Sequence, residues 1–155
     1  MNETGHTFSL PRGSDLLDQA LSTTGARVLI VDDQQELAST IALLLTVAGY
    51  RPHPEATTEA ARAHLADARP PDFIICDYHL GHGENGIELI EEIRERYGND
   101  IPAVLMTGDK SYEIEAQALS MRQLRLLIKP FDGTELLASL QDLDAAAGNV
   151  RTKAR

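Results

Sequence analysis

Four short stretches of the chain are apolar without interruption: Val28-Leu29-Ile30-Val31, Phe73-Ile74-Ile75-Cys76, Ala103-Val104-Leu105-Met106 and Leu126-Leu127-Ile128. A strand with one wet face alternates apolar and polar residues, whereas an unbroken run of this length suits a strand covered on both faces, as in a parallel sheet. Helical spacing follows. Leu37, Ile41, Leu44, Leu45 and Ala48 recur at intervals of three and four or in adjacent pairs, as do Ile87, Ile90, Ile93 and Tyr97, and then Leu136, Leu137, Leu140 and Leu143. Each set makes one apolar stripe that must pack on the sheet. Weaker helices are predicted over Thr58–Ala66 and Tyr112–Met121.

Between the first two helices lies Arg51-Pro52-His53-Pro54-Glu55-Ala56, extended but with two prolines. Proline donates nothing to a strand ladder, so this second strand belongs at a sheet edge. Five β-α repeats require right-handed crossovers. The prediction is an α/β fold with a five-stranded parallel sheet, order 2-1-3-4-5 and helices on both faces; the handed, doubly wound arrangement with this order is the flavodoxin-like one. Residues 1–26 read as a flexible tail with room for one short helix after Ser14, residues 27–147 as the domain and residues 148–155 as a second tail.

Composition removes several functional classes. Asp and Glu number 24 against 14 Lys and Arg, a formal charge of -10 that repels nucleic-acid and anionic-membrane surfaces. The single cysteine, Cys76, excludes a disulfide framework and a cysteine-based zinc cage within one chain. No run approaches a membrane span and Met1 to Leu10 lacks the features of a secretion signal, so a cytoplasmic location is expected.

In open parallel sheets, ligands bind beyond the carboxyl ends of the strands where strand order reverses. Strand 1 runs into Asp32-Asp33, strand 3 into Asp77, strand 4 into Thr107 and strand 5 into Lys129-Pro130. Taken singly, each is an ordinary cap or turn residue. Taken together, three carboxylates gathered at one rim repel one another unless something neutralises them. Magnesium prefers such oxygen ligands, and Lys129 and Thr107 add a cation and a hydroxyl suited to an arriving oxyanion such as a phosphoryl group. His64, His79 and His82 invite a zinc reading but lack a companion set of ligands, and zinc is not assigned to them.

These residues resemble the receiver domain of bacterial two-component response regulators over roughly residues 27–145. Val28-Leu29-Ile30-Val31-Asp32-Asp33 is similar to the family's opening strand and acidic pair, Ile74-Ile75-Cys76-Asp77 to its phosphoacceptor strand, Met106-Thr107-Gly108 to its hydroxyl switch, and Ile128-Lys129-Pro130-Phe131 to its closing signature. The Asp-Tyr-His-Leu-Gly run and Leu-Leu-Ile-Lys-Pro resemble receivers attached to hybrid histidine kinases. The resemblance implies that Asp77 takes a phosphoryl group from a sensor histidine kinase or a histidine phosphotransfer protein. It further implies Mg2+ held by Asp33, Asp77 and the backbone carbonyl of His79, with Asp32 acting through water. Lys129 pairs with the phosphoryl oxygens, the Lys129–Pro130 bond is cis, and Thr107 and Leu126 form the switch. His79 and Asp109 tune the lifetime of the acyl phosphate.

The implied protein is a switch that catalyses its own modification rather than a turnover enzyme. It is a monomer or weak homodimer, without a DNA-binding output, and a downstream protein target docks around helix 4, strand 5 and helix 5. Three departures from the family pattern stand out. Gly81 replaces a common proline in a loop, Gly81 to Gly86, that reads as looser; Leu126 replaces a common aromatic; and the helix from Ser111 to Met121 has a weak stripe. Two rival readings are a phosphorylation-independent pseudo-receiver that only binds partners, and a flavin carrier. Against the carrier, Asp32-Asp33-Gln34-Gln35 stands where a phosphate-binding loop is needed.

Overall fold

The computed structural model describes residues 25–98 and 100–154. Each apolar run forms a strand and each stripe a helix, in the order β1 (Arg27–Val31), α1 (Gln35–Val47), β2 (Arg51–Glu55), α2 (Thr58–Asp67), β3 (Phe73–Asp77), α3 (Gly86–Tyr97), β4 (Ala103–Thr107), α4 (Tyr112–Leu119), β5 (Leu124–Ile128) and α5 (Gly133–Ala154). The strands form one sheet in the order β2-β1-β3-β4-β5, and every pair is parallel. The 2-1-3-4-5 prediction thus matches the observed topology. The sequence reading for residues 1–24 lies outside the described residues.

Successive side chains of a strand point to opposite faces, and the core divides accordingly. Val28, Ile30, Phe73, Ile75, Val104 and Met106 pack under Ile41, Leu44 and Leu45 of α1 and Leu136, Leu137 and Leu140 of α5. Leu29, Val31, Ile74, Cys76, Ala103 and Leu105 pack under α2, α3 and α4, against Leu65, Ile90, Ile93 and Ile114. All five residues of β3 and of β4 are buried, which explains the unbroken apolar runs.

The prolines of β2 sit where their missing N–H groups do no harm. The Arg51 N–H donates to the Ala26 carbonyl at 2.7 Å, and the Glu55 carbonyl accepts from the Asp32 N–H at 3.1 Å, so the odd-numbered residues bond to β1. Pro52 and Pro54 then turn their nitrogens to the open edge. Side-chain caps start the later helices: Thr57 accepts from the Ala60 N–H, Asn85 from Glu88 and Ser111 from Glu113 and Ile114. Asp132 and Glu135 bond reciprocally at the start of α5.

The end of α5 differs from the sequence reading, since the helix runs past Gly148 to Ala154 rather than giving way to a tail. A single glycine costs a helix only about 1 kcal/mol relative to alanine, and it follows a run of three alanines with high helix propensity.

Candidate functional site

The register of the sheet brings the strand ends together. Val31 lies opposite Cys76 and Asp77 opposite Met106, so the residues that follow β1 and end β3 and β4 share one rim. Asp32 is fully buried there, Asp77 is nearly so, and Asp33 is exposed. Carboxylate oxygens of all three lie within 4.8 Å of one another.

Lys129 reaches this cluster from the end of β5. Its Nζ is 3.2 Å from Asp32 Oδ2, 3.3 Å from Asp77 Oδ1 and 2.9 Å from Gln34 Oε1. The Lys129 N–H donates to the Thr107 carbonyl at 2.7 Å, which holds its backbone against the end of β4; the following bond to Pro130 is cis. Gln34 is a partner that the sequence reading missed. Its backbone N–H also donates to Asp32 Oδ1 at 2.8 Å, which fixes the buried carboxylate at the start of α1. A glutamine beside an acidic pair gives no sequence signal of this kind.

The rim carries more negative than positive charge. Burial pushes the Asp77 carboxyl above the ordinary carboxylate range; Lys129 pulls it back, and Asp32 and Asp33 push it up again. Three carboxylates facing one ammonium leave two negative charges over, the complement of one divalent cation. The donors are all hard oxygens, one set exposed and two inward, so the residues fit magnesium, which keeps several waters of its own.

The surrounding loops carry the remaining sequence-predicted residues. Thr107 is fully buried, and its hydroxyl accepts the Asp109 N–H at 3.0 Å, so it is engaged with its own loop. His79 Nε2 lies 3.9 Å from Asp109 Oδ2, with both side chains more than half exposed, so these two positions face each other across the mouth of the site. Leu126 lies opposite Leu105 and is partly buried in the cluster beneath α4.

The β3–α3 loop differs from its sequence reading as a loose segment. Gly81, His82 and Gly83 all take left-handed conformations, with φ of 82°, 53° and 77°. The Glu84 N–H donates to the Gly81 carbonyl at 3.0 Å, and the Leu80 N–H to the Glu84 carbonyl at 3.3 Å. The Glu84 carboxylate accepts from Thr58 Oγ1 and, at 3.0 Å, from Arg62 Nη2. Arg62 also binds Glu92 at 2.8 Å and so ties α2, the loop and α3 together. These ties join residues up to 30 positions apart, and no local pattern announces them. The histidines considered for zinc are separated: His79 pairs with Asp109, His82 lies in the left-handed turn, and His64 stacks on His53 instead.

Comparison with known proteins gives a consistent result. The family model described as the response regulator receiver domain matches residues 28–141. The phosphate regulon transcriptional regulatory protein PhoB of Pseudomonas aeruginosa is 35% identical over 118 residues, covering 76% of this chain and 51% of PhoB. The chain therefore spans about half the length of that relative, and less than two thirds of other curated regulators it matches. Among solved structures, the chemotaxis protein CheY4 of Vibrio cholerae superposes with a TM-score of 0.69 at 28% identity, over 77% of this chain and 98% of that one. The signal receiver domain of an HD domain-containing protein from Pseudomonas fluorescens Pf-5 gives 0.71 at 27% identity, over 81% and 98%.

Proposed function

This chain belongs to the response regulator receiver domain family of two-component systems, and from that premise we propose that Asp77 accepts a phosphoryl group from a phosphohistidine on a sensor histidine kinase or a phosphotransfer protein. The observation that carries the reading is the arrangement of Asp32, Asp33 and Asp77 around one point, with Lys129 bridging the two buried carboxylates. A carboxylate oxygen of Asp77 attacks phosphorus, the phosphorus–nitrogen bond breaks, and the imidazole leaves with the bonding electrons and takes up a proton. Such a transfer needs alignment and charge more than new covalent chemistry from the acceptor.

Asp33, Asp77 and the backbone carbonyl of His79 would hold Mg2+, with Asp32 contributing through water. The ion supplies charge neutralisation for the transferred group. Lys129 exchanges its contact with Asp77 Oδ1 for the phosphoryl oxygens and keeps Asp32 as its anchor. Thr107 leaves the Asp109 N–H and turns its hydroxyl to the phosphoryl group. Leu126 repacks beside it in place of an aromatic rotamer. His79 and Asp109, facing each other at the mouth, govern water access and hence the lifetime of the acyl phosphate.

The output surface is the face formed by α4, β5 and α5, where Tyr112 and Leu119 are each 81% exposed and, seven residues apart, lie on one side of α4. Phosphorylation changes the affinity of this face for a downstream protein. The protein is a phosphoacceptor that is modified and reset rather than an enzyme turning over a separate substrate, and it acts in the cytoplasm. Among the described residues no helix is long and apolar enough to cross a membrane.

Fluorine NMR of the protein with Mg2+ and beryllofluoride tests the reading. Bound-fluoride signals that require both Mg2+ and Asp77 support it. Their absence from the wild type favours the pseudo-receiver, in which the acidic rim is inert and only the α4 face is used.

A further inference from the structure

On the far side of the sheet from α1 and α5, at the open edge, β2 and the last turn of α2 bring together a second set of metal-type donors. His53 and Glu55 are two residues apart on β2 and so share a face, the one on which Leu29 meets α2. His64 descends from α2 onto them. The two imidazole rings stack with centroids 3.5 Å apart and planes inclined by 10°. His53 Nε2 lies 2.6 Å from Glu55 Oε2. One donor atom from each of the three residues falls within 4.8 Å of the others.

We infer that His53, Glu55 and His64 form a binding site for a borderline divalent transition cation of the zinc class, separate from the carboxylate rim. Two neutral imidazoles and one carboxylate are a donor set that suits zinc and poorly suits magnesium, which prefers oxygen ligands alone. The cation takes the place of the proton shared between His53 and Glu55, and water completes its coordination. Both rings must tilt about χ2 to aim their lone pairs at one point, and that torsion has a broad well.

Three features around the cluster bear on the cation. His64 sits in the last turn of α2, where the helix dipole favours positive charge. Burial first, then the neighbouring His53 and the guanidinium of Arg27, disfavour a proton on His64, while Glu55 favours it. Arg27, Arg51 and Arg69 line the cavity beside His53 and His64 and oppose a metal ion, so they limit affinity, and Glu55 offsets only part of that charge. The bound ion would pin the exposed edge strand, whose two prolines already discourage a further strand, to the helix that covers it.

Titration of the intact chain with Zn2+, in buffer containing excess Mg2+ to occupy the carboxylate rim, tests the site. In the wild type the first equivalent shifts or broadens the ring resonances of His53 and His64 before those of His79 and His82. By calorimetry, His64→Gln and Glu55→Gln each bind that equivalent about tenfold or more weakly. Should His64→Gln fail to fold, the wild-type ring signals and Glu55→Gln decide the matter. The inference is overturned if the first equivalent perturbs only residues around Asp77, or if the folded variants bind Zn2+ as tightly as the wild type.

Discussion

Replacing Gly86 with alanine sets two physical effects against each other at the first residue of α3. Helix propensity alone favours the change, since alanine is better than glycine within a helix by about 1 kcal/mol. The structure predicts the opposite sign. A Cβ on Gly86 would lie 2.9 Å from Leu105 Cδ1 and 3.1 Å from the Asp77 carbonyl carbon, and closer still to the Asp77 carbonyl oxygen. The leucine methyl can turn aside, but the carbonyl is backbone at the end of a fully buried strand. The Gly86 N–H also holds the Tyr78 carbonyl at 2.8 Å, so the helix start cannot retreat without losing that bond.

Overpacking costs about 1–3 kcal/mol, and a clash with backbone lies in the upper part of that range, about 2–3 kcal/mol, so Gly86→Ala should lose about 1–2 kcal/mol net of its propensity gain. With a urea m-value of roughly 1–3 kcal/mol/M for a chain of this size, the unfolding midpoint falls by about 0.3–2 M. Because the displaced carbonyl belongs to Asp77, phosphorylation by acetyl phosphate should slow as well. A midpoint equal to or above that of the wild type would refute the reasoning, as it would show that the α3 start yields freely.

Three further substitutions probe other parts of the account. Lys129→Met leaves the fully buried Asp32 without its ammonium partner; the metal-free protein should lose about 1–3 kcal/mol in urea denaturation, and Mg2+ should restore more stability to it than to the wild type. Arg62→Ala removes the guanidinium shared by Glu84 and Glu92 and leaves Thr58 on Glu84, and hydrogen exchange at the amides of Leu80 and Glu84 should accelerate while the strands stay protected. His64 is harder to protonate in the folded chain than in the unfolded one, so the unfolded state binds more protons as pH falls through the ordinary histidine range, and folding stability drops there. His64→Gln should flatten that acid-side loss in urea midpoints taken between about pH 7.5 and pH 5.5.

Much of the fold was legible because it depends on local patterns. Unbroken apolar runs identified strands covered on both faces, and the prolines of β2 placed it at the edge, where their nitrogens do face outward. The rim was legible for a related reason: Asp32, Asp77, Thr107 and Lys129 each follow or end a run that the sequence marks clearly, so strand order alone gathers them. What stayed hidden depends on side chains meeting across elements. Thr58, Arg62 and Glu84 are unremarkable polar residues until α2 packs beside the β3–α3 loop. The pairing of His64 with His53 needs the register of an edge strand against a helix, which the sequence does not display, and the loop histidines His79 and His82 were the wrong companions. Gly86 reads as one more loop glycine, although its role comes from a carbonyl nine residues earlier in the chain.

Asp77, among carboxylates neutralised by Lys129 and a divalent cation, is the proposed phosphoryl acceptor. Mass spectrometry of the intact protein after incubation with acetyl phosphate measures this most directly, with the modified residue located by peptide mapping. The account predicts the mass gain of one phosphoryl group with Mg2+ present, lost on chelation, mapped to Asp77 and absent from Asp77→Asn. An unmodified wild type, or modification that persists in Asp77→Asn, would contradict it.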